Sequence, residues 1–309
     1  MATVSDLLQS LMREAGDRPP DPVLALDWLS GRYAEVLERV PWSFMSKESF
    51  FNTVASISAG TVIVNENSTT VTETTSNANG WSSSIVGLWF RVRGTTEFYE
   101  ITAYNDANPD TITLDRGYEH DNDTAATYDI WQRHFSLASD VRYVSSMFVD
   151  RDPPTPLDEV SQTDLDIGFP NRPDLASPLY WASDGKDSSN LTRVELYPIP
   201  DERKAIHYRY IQSTPSLANG STTILPQVQA GLMRAGWMSD YWGWRGASSD
   251  APSAQLLQSQ KYEQEFQKRL TEMVARECLA LPPKRIRMAK RFQHPYIAKF
   301  QRNIAVRLD

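Results

Sequence analysis

The sequence predicts an α+β fold: a helical bundle built from N- and C-terminal helices, with an inserted antiparallel β module and an extended C-terminal arm. Three observations predict it. Helical spacing of apolar residues occurs only near the two ends of the 309-residue chain. Short alternating apolar runs separated by turn residues occupy the middle. Residues 282–309 begin with two prolines, which end the last helix, and are rich in basic residues.

Residues 1–45 are predicted to form the N-terminal helices of the bundle. The apolar residues of the first helix recur at helical spacing: Val4, Leu7, Leu8, Leu11 and Met12. Gly16 is a natural stop for this helix. The second helix is expected to open with Asp21 as N-cap and Pro22 at its first position, and to end at Pro41.

Residues 46–135 are predicted to form the inserted β module, a small antiparallel barrel or sandwich. Its expected strands alternate apolar and polar residues: Thr61–Val64, Thr69–Thr72, Leu88–Arg93, Glu97–Thr102, Thr111–Leu114 and Thr127–Trp131. Clusters of Asn, Asp, Gly and Ser fill the gaps between them, as turns require.

Residues 136–225 are predicted to be a loop-rich β region. Asp150–Pro178 contains six prolines and little periodicity, so a long irregular loop is expected there. Two strands follow, Arg193–Tyr197 and Ala205–Ile211. The Pro198–Glu202 segment between them has turn chemistry, which predicts a hairpin.

Residues 226–281 are predicted to supply the C-terminal helices of the bundle. The first is expected to run from Pro226 to about Trp244, and the second from about Ser253 to Leu281. One face of the second carries the apolar residues Tyr262, Phe266, Leu270 and Met273. The four terminal helices are similar in length, and one bundle is the economical way to bury their apolar faces.

The C-terminal arm (residues 282–309) has a charge opposite to that of the remaining chain. It holds eight basic residues and one acid, a net charge of +7, whereas the remainder holds 23 basic residues and 38 acids, a net charge of −15. Asp106–Asp201 alone holds 19 acids and 7 basic residues, a net charge of −12. This distribution indicates head-to-tail packing between copies or docking on an acidic partner. A solvated acidic face with an unrelated tail, and contact of the arm with a phosphate backbone, are the alternatives.

Apolar residues interleaved with the charges favour a protein groove as the docking site of the C-terminal arm. The residues predicted to dock on a portal protein or a neighbouring copy are Lys284, Arg285, Arg287, Lys290, Arg291, Phe292, Tyr296, Phe300 and Arg302. A second predicted contact is an inter-helix or subunit contact made by Tyr241, Trp242 and Trp244.

The sequence predicts no catalytic, cofactor-binding or metal site, and the protein is not expected to be an enzyme. None of the four histidines, His120, His134, His207 and His294, lies at metal-ligand spacing from another histidine or from the single cysteine, Cys278. Phosphate-binding glycine loops and nucleophile-elbow motifs do not occur. A carboxylate pair of the glycosidase type stays open, because the fold and not the spacing sets its geometry.

No membrane association is expected. The chain has no run of 18 apolar residues, and its N-terminus lacks the basic and apolar regions of a secretory signal.

Several short motifs occur in an order shared with a known family. Outside the β module they are W-S-F, E-L-Y-P-I-P, Y-R-Y-I-Q and L-P, at Trp42–Phe44, Glu195–Pro200, Tyr208–Gln212 and Leu225-Pro226. Inside it they lie at Gly60–Val62, Gly87–Val92, Tyr99–Ile101, Thr113–Asp115 and Tyr128–Ile130. The ordered set resembles the head-to-tail adaptor (connector) proteins of tailed bacteriophages, mainly those of the short-tailed type.

The resemblance implies a structural role in the neck of a virion assembled in the host cytoplasm. It implies a ring of usually twelve copies, bound beneath the portal protein of the DNA-filled head. Helices of adjacent copies would pack around a channel through which genomic DNA passes without sequence recognition. A tail tube or nozzle protein would bind below, and the C-terminal extension would reach the portal or neighbouring copies.

Two other functional classes compete with this interpretation. The tryptophans and the β module also fit a carbohydrate-binding or adhesin tail component, with the aromatic side chains as a sugar platform. A virion-borne cell-wall hydrolase has only unassigned carboxylates in its favour. The helical chain ends favour the adaptor over both.

Overall fold

The computed structural model describes residues 3–16, 18–75, 80–150, 154–170, 172, 174–217, 224–225, 227–247 and 252–280. These residues belong to two compact units. Among the described residues, the helical unit combines residues 3–46 with residues 211–280, and the β unit is Lys47–Tyr210.

The helices begin and end where local signals act. In chain order they are α1 (Val4–Glu14), α2 (Pro22–Glu38), α3 (Gln162–Gly168), α4 (Ala230–Ala247) and α5 (Pro252–Ala280). The expected start of α2 is confirmed, because the Asp21 carboxylate accepts the Val23 N–H at 2.8 Å and Pro22 occupies the first turn. Thr3 and Asp6 form a reciprocal capping box at the start of α1.

Fourteen strands lie in the described part of the chain, and each of the six strands predicted for the β module overlaps one of them. In chain order they are β1 (Ser46–Asn52), β2 (Val62–Val64), β3 (Thr70–Glu73), β4 (Trp89–Val92), β5 (Tyr99–Asn105), β6 (Thr111–Leu114), β7 (Asp123–Ala126), β8 (Tyr128–Trp131), β9 (His134–Ser136), β10 (Val141–Val149), β11 (Thr155–Glu159), β12 (Tyr180–Lys186), β13 (Thr192–Tyr197) and β14 (Ala205–Gln212).

The strands form two seven-stranded sheets that curl strongly. One has the order β7-β2-β3-β6-β5-β4-β8, and the other has the order β1-β14-β10-β11-β12-β13-β9. The first sheet is antiparallel in the register of each of its pairs, as in Phe90↔Tyr99 and Phe90↔Ile130. The second includes one parallel pair, in which Asp158 lies opposite Tyr180.

The helical unit has one apolar core made by α1, α2, α4 and α5. Trp42, Trp237 and Phe266 are completely buried in it. The buried indole N–H groups find backbone acceptors, because Trp237 donates to the Ala25 carbonyl at 2.9 Å and Trp42 to the Val36 carbonyl at 2.8 Å. Residues from both ends of the chain therefore depend on each other for burial.

The predicted fold class is wrong. Instead of a helical bundle that carries one β module, the chain is mostly β, with two large curled sheets and, within the described residues, five helices. The prediction underestimated residues 136–225, where the prolines of Asp150–Pro178 weaken the strand signal. Strand β9 pairs with β13 and β10 lies beside β14, partners distant in sequence that local periodicity does not reveal.

Two local predictions in this region are also wrong. Strands β13 and β14 do not form a hairpin, because β13 lies between β12 and β9 while β14 lies between β1 and β10. Pro198 and Pro200 have no N–H group, so the connection cannot continue the ladder of β13. The expected irregular loop Asp150–Pro178 contains β11 and α3 among its described residues.

Replacing Phe266 by alanine tests the core of the helical unit. The side chain has no exposed surface, so Phe266→Ala should lower the free energy of unfolding by about 3–5 kcal/mol through lost burial and a cavity. Urea unfolding followed by circular dichroism measures the change. The matched control is Gln264→Ala on the exposed face of α5, expected to stay within about 0.5 kcal/mol of wild type. Equal effects would contradict the packing of α5 described above.

Candidate functional site

The C-terminal arm lies outside the described residues, as do all nine of its predicted docking residues. Its role therefore stays a prediction. The described chain stops at Ala280 on α5, one residue before the predicted end of that helix.

The predicted contact residues Tyr241, Trp242 and Trp244 lie on α4 with very different exposure. Tyr241 is completely buried; its hydroxyl donates to the Ala15 carbonyl at 2.8 Å and accepts from the Arg245 guanidinium at 2.9 Å. Trp242 is half-buried, with the Arg245 guanidinium 5.3 Å from its ring centre. Trp244 is 36% exposed. Of the three, Trp244 presents the most surface to a partner, and Tyr241 supports it from beneath at 6.2 Å between ring centres.

Exposed apolar side chains collect at one end of the helical unit. Trp244 near the end of α4 packs against Trp28 near the start of α2, with ring centres 6.0 Å apart. Leu256 in the first turns of α5 lies beside Gly246 of α4. The start of α2, the end of α4 and the start of α5 therefore meet at one end, the apolar end. Its exposed large apolar residues are Val23, Trp244, Leu256 and Leu257, at 69%, 36%, 46% and 66% exposure.

Sequence reasoning missed Val23, Leu256 and Leu257, although a signal was present. At 100° per residue, Leu257 lies opposite the face of α5 that carries Phe266 and Leu270. An apolar residue opposite the buried face of its helix is a candidate for contact with another molecule.

A cluster of charges joins three helices of the helical unit. The Arg32 guanidinium donates to both carboxylate oxygens of Asp240, at 2.9 and 2.8 Å, and to Glu263 at 2.8 Å. It also lies 4.9 Å from the centre of the Phe266 ring. Although partial burial opposes ionisation, hydrogen bonds from Gln267 and the Arg32 charge lower the pKa of Glu263. The cluster fixes α2, α4 and α5 in register.

The β unit contains a second buried charge cluster, around Glu195 of β13. Arg172 and Glu195 have side chains only 1% exposed, and the Arg172 Nε donates to Glu195 at 2.8 Å. Arg133 donates at 2.9 Å and Gln162 at 2.5 Å to the same carboxylate. Burial opposes its ionisation, but the hydrogen bonds and the Arg133 charge win and lower the pKa of Glu195. The cluster joins β13 to α3 and to the segment between β8 and β9.

His134, one of the four histidines considered above, lines an open pocket of about 350 Å³ with Val54, Ile85 and Gln132. Burial, together with the Arg133 and Arg193 charges, lowers the pKa of His134 to about 4, although Asp184 lies 3.0 Å away. His120 pairs with Glu97, and His207 lies within 4 Å of two carboxylates, Glu48 and Asp150. Across the described residues, no group of three His, Cys, Asp or Glu side chains is placed to hold a metal ion.

Tryptophans of the β unit belong mainly to its interior. Trp81, Trp131 and Trp181 are 6%, 1% and 3% exposed. Trp89 is half-buried and stacks with the Arg133 guanidinium, 4.9 Å from its ring centre. These side chains do not present the flat exposed rings that a sugar platform needs.

The exposed cysteine and the length and hydropathy of the helices are two further features of the described residues. The single cysteine, Cys278, is exposed near the end of α5 as a free thiol. No helix in the described ranges is both long and apolar enough to cross a membrane.

Glu195→Gln tests the buried cluster of the β unit. The variant leaves Arg133 and Arg172 without their carboxylate, so we expect a loss of about 3–5 kcal/mol in the free energy of unfolding at neutral pH. Because the pKa of Glu195 is lowered in the folded state, its ionised carboxylate stabilises the fold at pH values above the ordinary pKa of 4.5. This stabilisation is lost as the pH falls below 4.5 and through the lower pKa of the folded state. The difference in the free energy of unfolding between wild type and variant should therefore become smaller in acid.

Urea unfolding at a series of pH values measures this difference. The matched control is Glu159→Gln, which alters an exposed carboxyl at the end of β11 and should change stability by at most about 0.5 kcal/mol. If the difference in the free energy of unfolding between wild type and Glu195→Gln is constant from neutral to acid pH, Glu195 is not ionised in the cluster.

No protein-family model and no curated protein matches the chain.

Proposed function

We propose that this protein is a structural component of a tailed-phage virion: a ring-forming head-to-tail adaptor that joins the portal to the tail. In the ring, copies pack side by side around the path of the DNA, and the C-terminal arm docks on the portal or on a neighbouring copy. The tail tube or nozzle binds on the other side. Localisation in the virion neck follows from this role.

The observation that carries the proposal is the separation of charge along one chain. The C-terminal arm has a net charge of +7 and the remainder a net charge of −15. Opposite charges on two parts of the same chain favour head-to-tail contacts between copies, because each copy offers both signs. An acidic remainder also suits a protein that DNA passes, since it does not bind phosphates.

Exposure at the apolar end supports the same proposal. Leu257 and Val23 are among the most exposed large apolar residues of the described chain, and exposed apolar surface of this kind is typical of protein interfaces. The buried tryptophans of the β unit make the adhesin alternative the weaker of the two, because its sugar platform lacks exposed rings.

Deleting residues 282–309 tests the role of the C-terminal arm. The two units described above have their own cores, so the truncated chain should fold, with unchanged circular dichroism, and lose binding to the portal protein of the same virion. Co-sedimentation of portal rings with the full and truncated chains measures binding. A truncated chain that still binds portal and assembles normally would show that the arm is not a docking segment.

Charge reversal within the arm separates its electrostatic part from its apolar part. Changing Lys284, Arg285, Arg287, Lys290 and Arg291 to glutamate should weaken portal binding and make it less dependent on salt, because exposed charge pairs are screened. Binding of wild type and variant across ionic strengths measures both effects. Equal affinity of the two at every ionic strength would remove electrostatics from the docking step.

A further inference from the structure

The solvent face of α5 carries a basic stripe. Opposite the buried Phe266 and Leu270, the exposed residues along one line of the helix are Leu257, Lys261, Gln264, Lys268 and Ala275. Glu272 borders this line one turn beyond Lys268. We call this line the basic stripe; it begins with an apolar residue.

The solvent face of α2 carries an acidic stripe. Opposite its buried residues Leu29 and Val36, the exposed residues form a band that turns by about 120° around the helix between Val23 and Glu35; its members are Val23, Asp27, Gly31, Glu35 and Glu38. Glu35, at one edge of this band, also accepts hydrogen bonds from Arg32 at 3.0 Å and from Gln267 of α5 at 3.4 Å, both in its own chain, and its side chain keeps 39% exposure. This band, the acidic stripe, also begins with an apolar residue.

The two stripes match in spacing when the helices run parallel. At a rise of about 1.5 Å per residue, Asp27 and Glu35 lie about 6 and 18 Å beyond Val23 along the axis. Lys261 and Lys268 lie about 6 and 17 Å beyond Leu257. A parallel alignment therefore places Val23 beside Leu257, Asp27 beside Lys261 and Glu35 beside Lys268. An antiparallel alignment separates the two apolar residues.

A ring of copies supplies the parallel direction of α2 and α5 that this alignment requires. Within one chain α2 and α5 run parallel, because Arg32 pairs with Glu263 at 2.8 Å and the Ser43 N–H donates to Glu277 at 2.5 Å further along both segments. Rotation about an axis along the helices preserves their direction. The α5 of a rotated copy is therefore parallel to the α2 of the first.

We infer that the acidic stripe of one copy packs in parallel on the basic stripe of the next copy, so that the occupant of each stripe is a second copy of this chain. The contact is heterologous, because the two stripes lie on different helices, and repeated heterologous contacts close into a ring when the rotation permits. The inference rests on the proposed function, for which it names the surfaces by which copies join. Val23 and Leu257 lose their exposure in this contact.

Two variants of the full chain test the inference, one for each stripe. Asp27→Lys with Gly31→Lys and Glu38→Lys leaves Glu35 as the one acid among three lysines and so makes the acidic stripe basic; a Cβ added at Gly31 meets no atom within 4 Å, so that change is compatible with the fold. Lys261→Glu with Lys268→Glu makes the basic stripe acidic. Each variant alone places like charges opposite each other, so self-association should fall about tenfold or more. Lys186→Glu, an exposed reversal in the β unit, is the control and should leave assembly unchanged.

Mixing the two variants is the decisive step. A chain with two basic stripes and a chain with two acidic stripes can pair at both contacts, so rings should return with the two variants alternating in equal numbers. A folding defect does not produce this rescue. Mass photometry and negative-stain microscopy at physiological ionic strength measure assembly, and circular dichroism verifies that each variant is folded.

The outcomes separate the inference from the proposed function. Wild-type rings that persist in either variant, or folded variants that stay apart when mixed, would overturn the stripe contact and leave the adaptor proposal standing. A wild-type chain that stays monomeric at all concentrations, alone and with portal protein, would overturn both. Alternating rings from the mixture support the inference.

Discussion

The Arg32 guanidinium is the interaction on which the helical unit depends. Two of its partners, Asp240 and Glu263, come from helices that follow the whole β unit in sequence. In its absence the carboxylates grouped around it would repel one another, and α2 would lose its register against α4 and α5. Lysine is not an equivalent residue here, because a planar guanidinium can serve several carboxylates at once and an ammonium cannot do so in the same geometry.

A long insertion between the first and last helices is compatible with this arrangement. The cost of closing a loop rises only slowly with its length, and the β unit has its own apolar cores. The Glu195 cluster has the same relation to the β unit as Arg32 has to the helical unit. The group around Arg32 is partly buried and the group around Glu195 is almost fully buried. Each joins several elements in one arrangement, a role that such groups fulfil only when every partner is present.

Features set by neighbouring residues were predictable, and those set by distant partners were not. The start of α2 follows from Asp21 and Pro22, and the six predicted strands of the β module, three to seven residues long, follow from local alternation. Strand order is different: β13 has a turn-like segment after it, yet it pairs with β12 and β9 and not with β14. The candidate site divides in the same way. The aromatic residues near the end of α4 predicted a contact there, but only the packing distinguishes the buried Tyr241 from the exposed Trp244. The partners of Glu195 are distant in sequence and have no local signature.

The exposed thiol of Cys278 has a practical consequence for stoichiometry. Because the chain has one cysteine and its side chain is accessible, a maleimide dye attaches once per copy without any mutation. The number of bleaching steps in a single labelled particle then equals the number of copies it contains. Labelling the native chain at Cys278 therefore gives the number of copies in any assembly that it forms.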